Sequence, residues 1–92
     1  MNLRYTVRAL RHIEAIHKYI AERDAKAAKR VVLRIERSIE RLALLPLSGR
    51  PGVVAGTRIV VVPGLPYVAI YRVRGEVVDI IAVLHTARRR RS

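Results

Sequence analysis

The chain has no cysteine. That single absence removes a disulfide framework, a thiolate nucleophile and thiol redox chemistry. Acidic residues are almost as scarce, with seven Asp and Glu against nineteen Lys and Arg, a formal net charge of +12. With no cysteine and few carboxylates, no metal site is expected; His12 and His17 stand five apart on a helical segment, a poor ligand spacing. No uninterrupted apolar run approaches the ~18 residues of a membrane span, and MNLRYTV lacks the apolar core of a signal peptide. The expectation is a cytoplasmic protein with no membrane association and no cofactor.

Ninety-two residues make one domain, 1–92, with a single core and no room for a second domain around a cleft. What fills it is positive charge. A chain at +12 attracts polyanions, so nucleic acid, a ribosome or an acidic protein are the partner classes. Arginine far outnumbers lysine, and its planar fork suits bidentate contacts to carboxylate or phosphate.

Leu3, Tyr5 and Val7 alternate with Asn2, Arg4, Thr6 and Arg8, which predicts a strand over 2–8. From Ala9 the period lengthens: Leu10, Ile13, Ile16 and Ile20 mark an amphipathic helix, with Glu14 four residues before Lys18. Asp24 is a candidate N-cap for a second helix, whose stripe Ala28, Val31, Val32, Ile35, Ile39, Leu42 and Leu45 runs to Pro46. Its opposite side carries Arg30, Arg34, Arg37 and Arg41. Pro46 to Val53, PLSGRPGV, reads as a turn-rich connector without regular structure.

Three strands follow, at 58–62, 67–74 and 77–85, separated by Pro63-Gly64-Leu65-Pro66 and by Gly75, as an antiparallel meander. Ile59 and Val61 oppose Val60 and Val62, while Ile80, Ala82 and Leu84 oppose Ile81 and Val83. Both sheet faces are therefore apolar, and two helices cover only one. A covering partner is expected, of which a homodimer is the plain version. Asp79 and His85 share a face by strict alternation but lie about 20 Å apart at strand rise, which excludes a dyad.

Pro46, Gly49 and Arg50, then Gly56-Thr57-Arg58, then Pro66-Tyr67 heading PYVAIYRV, then VLHTAR, resemble the pattern of the ParE/RelE toxin superfamily from end to end. The resemblance implies an α+β fold of order β-α-α-β-β-β, with a helical hairpin on one face of a mainly antiparallel sheet. It also implies the toxin of a type II toxin–antitoxin module, bound by a small acidic ParD-like or RelB-like antitoxin in a hetero-oligomer.

The superfamily divides by mechanism. RelE-like members cut messenger RNA on the ribosome, which requires cations around the scissile phosphate and a group to move a proton. ParE-like members poison DNA gyrase. Here Arg58 keeps one basic strand position, but Val60 and Val68 stand where others would fall, and no tyrosine follows the arginine run. The ParE-like branch is favoured, with no confident catalytic residue; an RNase reading would use Arg58, His85 and Arg88. Target contacts are expected at Arg58, Arg72, His85, Arg88, Arg89 and Arg90. Antitoxin contacts are expected at Ile59, Val61, Tyr71, Arg72, Ile81 and Val83. Residues 88–92 form a basic tail, either a solubilising appendage or a polyanion contact.

Overall fold

A computed structural model describes residues 1–89. Its first strand, β1, covers Asn2–Tyr5 and stops short of the expected 2–8. Thr6 stops it. The Thr6 hydroxyl accepts from the Ala9 amide at 3.1 Å, capping α1 (Val7–Ala21). The same hydroxyl donates toward the Ile80 and Ile81 carbonyls at 2.8 and 3.1 Å, so one side chain both starts the helix and anchors it to the sheet. Docking this close suits a methyl group. Ala9 is therefore the wholly buried residue of α1, and Leu10, expected in the apolar stripe, is 53% exposed.

Asp24 caps α2 (Ala25–Glu40) by accepting from the Ala27 amide at 3.0 Å, as its position predicted. Ala28, Ile35 and Ile39 bury the inner face of α2, and Leu42 continues it through a 3-10 turn at Arg41–Ala43. Leu45 does not follow them and stays exposed. Tyr5 is half-buried, and its phenol pKa is pushed up to about 12 by burial, with the charges of Glu36 and Glu40 adding to the effect.

The connector after α2 is not wholly irregular. Arg50–Pro51 forms a short strand, β2, against β3 (Arg58–Val61). Proline at that outer position suits an edge, because its missing N–H blunts further pairing. β4 (Tyr67–Arg74) and β5 (Val77–His85) are joined at Gly75, whose φ of +59° favours glycine. The sheet order is β1-β5-β4-β3-β2, with β1 parallel to β5 and every other pair antiparallel. A last turn, α3 (Thr86–Arg89), follows β5.

One irregularity decides which side chains share a face. Ile70 pairs with Ala82 but Tyr71 with Ile80, so Ile81 is an extra residue bulged out of β5. Strict alternation, which set Ile80 with Ala82 and Leu84, fails at that point. Val78 and Ile80 share the helix-covered face with Val83 and His85, through their partners Val73, Tyr71, Ala69 and Tyr67. Asp79 and His85 consequently lie on opposite faces, which strengthens the case against a dyad.

The other face is less bare than the sequence pattern implied. Ile59, Val68 and Ala82 on it are 4%, 1% and 2% exposed, and only Val61, at 48%, is substantially open. Among the described residues no helix is long and apolar enough to cross a membrane.

Candidate functional site

The residues that made the sequence pattern recognisable gather into two groups at different places on the sheet. The first is a knot around Tyr71. The Tyr71 side chain is wholly buried; its hydroxyl donates to the Pro46 carbonyl at 2.8 Å and accepts from the Gly49 amide at 2.9 Å. Only glycine fits at 49. A Cβ there would sit 2.6 Å from the Tyr71 hydroxyl and 2.7 Å from the Ile59 carbonyl oxygen. Arg58 closes the knot by donating to the Gly49 carbonyl at 2.7 Å, while Thr57 donates to the Val54 carbonyl at 2.6 Å. Pro46, Gly49, Thr57, Arg58 and Tyr71 thus fix the loop before β3, with most of their polar groups turned inward.

The second group closes the end of the sheet nearest α3. Tyr67 and His85 are cross-strand partners in edge-to-face contact, ring centroids 5.5 Å apart. The Thr86 amide donates to the Pro66 carbonyl at 2.9 Å, and the Ala87 amide donates to His85 Nδ1 at 3.1 Å. Between this end of the sheet and α1 lies a cleft of about 530 Å³, whose walls include Ile16, Tyr19, Tyr67, Val83 and His85. Burial pushes the Tyr67 phenol pKa up, with a further contribution from Tyr19. His12 reaches across from α1, its Nδ1 accepting the Val83 amide at 3.1 Å.

A third feature sits at the opposite end of the non-helix face. Arg4, Asp79 and Arg72 are in register across β1, β5 and β4. Asp79 accepts from Arg74 Nε at 2.9 Å and from Arg4 Nη1 at 3.0 Å, and these two hydrogen bonds hold its carboxyl below the usual carboxylate range. Arg72 stands beside them, exposed and without a carboxylate of its own. Three guanidinium groups therefore surround one acid, and the excess charge faces solvent.

The residues expected to contact a target do not form one surface. Arg72 is on the non-helix face and His85 on the helix face. Arg58 is half-buried and spends its guanidinium on backbone carbonyls. Arg88 and Arg89 continue the chain in α3, and Arg90 lies outside the described residues. Of the residues expected to meet an antitoxin, Val61 and Arg72 are exposed and Ile81 is half-buried at the bulge. Ile59, Tyr71 and Val83 are buried and have little surface to offer.

Nuclease geometry fares no better. Arg58 pairs with Tyr71 and His85 with Tyr67, four residues apart along β4, or about 13 Å at strand rise. The Nδ1 lone pair of His85 is occupied by the Ala87 amide, so the neutral ring presents an N–H donor at Nε2 where a general base needs an acceptor. Val60 is half-buried and Val68 wholly so. Among the described residues no group of three His, Cys, Asp or Glu is placed to hold a metal ion.

Comparison with known proteins puts this architecture among the toxins of type II toxin–antitoxin systems. The family model described as "ParE toxin of type II toxin-antitoxin system, parDE" matches residues 3–90, and the chain belongs to that family. A Sinorhizobium fredii protein named "Putative toxin Y4kP" is 43% identical over 83 residues, covering 90% of this chain and 85% of that protein. "Toxin RelE2" of Caulobacter vibrioides is 38% identical over 84 residues, covering 91% and 93%. A structure of the chromosomal ParDE system from P. aeruginosa superposes with a TM-score of 0.83 at 26% identity, over 92% of this chain and 95% of that one. The resemblance and fold read from the residues are borne out.

Proposed function

We propose that this ParE-family toxin acts by inhibiting DNA gyrase, without catalysis of its own, and is neutralised by a cognate acidic antitoxin. The observation that carries the reading is the separation of Arg58 from His85. Cleavage of RNA by its 2′-hydroxyl requires cations and a proton-moving group converging within hydrogen-bond reach of one phosphate. In this chain the first cation is committed to Gly49 and Leu47, and the imidazole lone pair is committed to Ala87.

Contact with the target is carried on this reading by Arg72 with its neighbours Arg4 and Arg74, and by the basic C-terminal run Arg88–Arg91. An acidic antitoxin matches the net charge of +12, and the exposed Val61 and half-buried Ile81 supply apolar contact. Such a complex forms in the cytoplasm as a hetero-oligomer.

The second reading is a ribosome-dependent messenger RNase, favoured by the RelE name carried by the Caulobacter relative. Purified chain in a gyrase supercoiling assay, run beside translating ribosomes with primer-extension mapping, separates the two. Loss of supercoiling without cuts supports gyrase inhibition; codon-phased cuts with gyrase unaffected overturn it.

A further inference from the structure

The cleft between α1 and the end of β5 has three properties that bear on what enters it. Its floor is aliphatic, from Ile16 and Val83. Its margin is strand edge. β1 pairs with β5 only as far as Ile80, so residues 81–85 have a strand neighbour on the β4 side alone. His12 takes the Val83 amide on the free side, and alternation of the ladder directs the Val83 carbonyl and the His85 amide to that side as well.

The third property is charge. His12, Ala15, Ile16 and Tyr19 face the cleft from α1, and the same helical stripe continues four residues outward at each end to Arg8 and Arg23. Both are exposed, and the Arg23 guanidinium lies 5.3 Å over the Tyr19 ring. At helix rise they bracket the cleft at a separation of roughly 20 Å, which an extended segment of about six residues spans. Glu22 is the acid nearest this line in the sequence.

We propose that the cleft is the seat of an acidic, extended segment of a partner protein. One apolar or aromatic side chain of that segment anchors on Ile16 and Val83, its backbone meets the free side of β5, and its flanking carboxylates pair with Arg8 and Arg23. The proposal rests on the toxin–antitoxin reading for the existence of such a partner, but it places the anchor on the helix side of the sheet, away from Arg72. A single-stranded nucleic acid fits less well, since base stacking needs an open ring face. Tyr67 is only 8% exposed, and Arg23 already lies over the Tyr19 ring. Neutralisation through the cleft and target contact through Arg72 are then separable by mutation.

The test uses the full chain and synthetic probes: an acidic peptide with one tryptophan among glutamates, the same peptide with glycine for tryptophan, a lysine version, and oligouridine. Fluorescence anisotropy gives affinities, and NMR shifts of His12, Tyr19 and His85 locate binding. Ala15→Trp fills the cleft from an exposed helix position, and an unchanged thermal midpoint verifies that it folds. The expected result is that only the acidic tryptophan peptide shifts the cleft resonances, and that Ala15→Trp and the Arg8→Glu, Arg23→Glu double variant each weaken it at least tenfold. Equal affinity for Ala15→Trp, shifts confined to the Arg72 face, tighter binding of oligouridine, or self-association of the free chain blocked by Ala15→Trp would each overturn it. Growth arrest on expression tests the toxin reading separately, because the peptide titration does not depend on toxicity.

Discussion

Replacing Tyr71 by Phe removes one oxygen from the interior and leaves the ring, its volume and its packing in place. Two hydrogen bonds go with it, to the Gly49 amide at 2.9 Å and the Pro46 carbonyl at 2.8 Å. Their consequences differ. Pro46 is half-buried, so its carbonyl recruits water at little loss, whereas the Gly49 amide is enclosed and has no other donor path. A neutral hydrogen bond contributes about 1 kcal/mol net, and a stranded buried donor costs about 1–3 kcal/mol, so the change should destabilise by ~2–3 kcal/mol. For a domain of this size that lowers Tm by at least ~8 °C. Arg58 still holds the Gly49 carbonyl at 2.7 Å, so the loop loosens without leaving. Circular dichroism melts give the midpoint, and amide exchange at Gly49 gives the local consequence. Gly49→Ala attacks the same contact from the other side, placing a Cβ 2.6 Å from the hydroxyl. It should cost at least as much alone, and less than additively with Tyr71→Phe. A Tm loss under ~3 °C with Gly49 still protected would refute the reasoning.

Three further outcomes follow from the same contacts. Thr6→Ala removes the cap of α1 together with its bond to the sheet, and should cost about 1–2 kcal/mol by urea unfolding; Thr6→Ser, which keeps both, should recover most of it. Arg72→Glu should abolish gyrase inhibition while leaving stability within about 0.5 kcal/mol, since the side chain is exposed and holds nothing in place. Retained inhibition would remove Arg72 from the target surface. Asp79 has a folded pKa below its unfolded value of about 3.9. Its stabilisation is therefore present above that value and lost as pH falls through the lower folded one. Asp79→Asn should flatten the acid limb of a urea-midpoint titration below about pH 4; an unaltered limb would mean the Arg4 and Arg74 contacts carry no protonation linkage.

Much of this architecture was legible in one dimension, because period and punctuation are local properties. The alternation of Leu3 and Tyr5, the stripe from Ala28 to Leu42, the cap at Asp24 and the Pro and Gly turns each depend on residues within a few positions of one another. Their order was enough to suggest the family. The edge strand at Arg50–Pro51 escaped notice because two residues carry no period.

The faces of β5 were decided only in three dimensions. Every position from Ile80 to Leu84 is apolar, so a one-residue bulge at Ile81 leaves no trace in hydropathy while it turns Val83 and His85 toward the helices. Arg58 illustrates the same limit through charge. In sequence it is a cation like Arg72, yet one is spent on backbone carbonyls near Gly49 and the other meets solvent. Charge belongs to the residue, but which groups it meets depends on chain segments brought together from far apart. The sequence accordingly determined the fold, the family and the sign of the surface. Tertiary packing decided which arginines remain available, and opened beside β5 a cleft whose walls come from α1, β4 and β5.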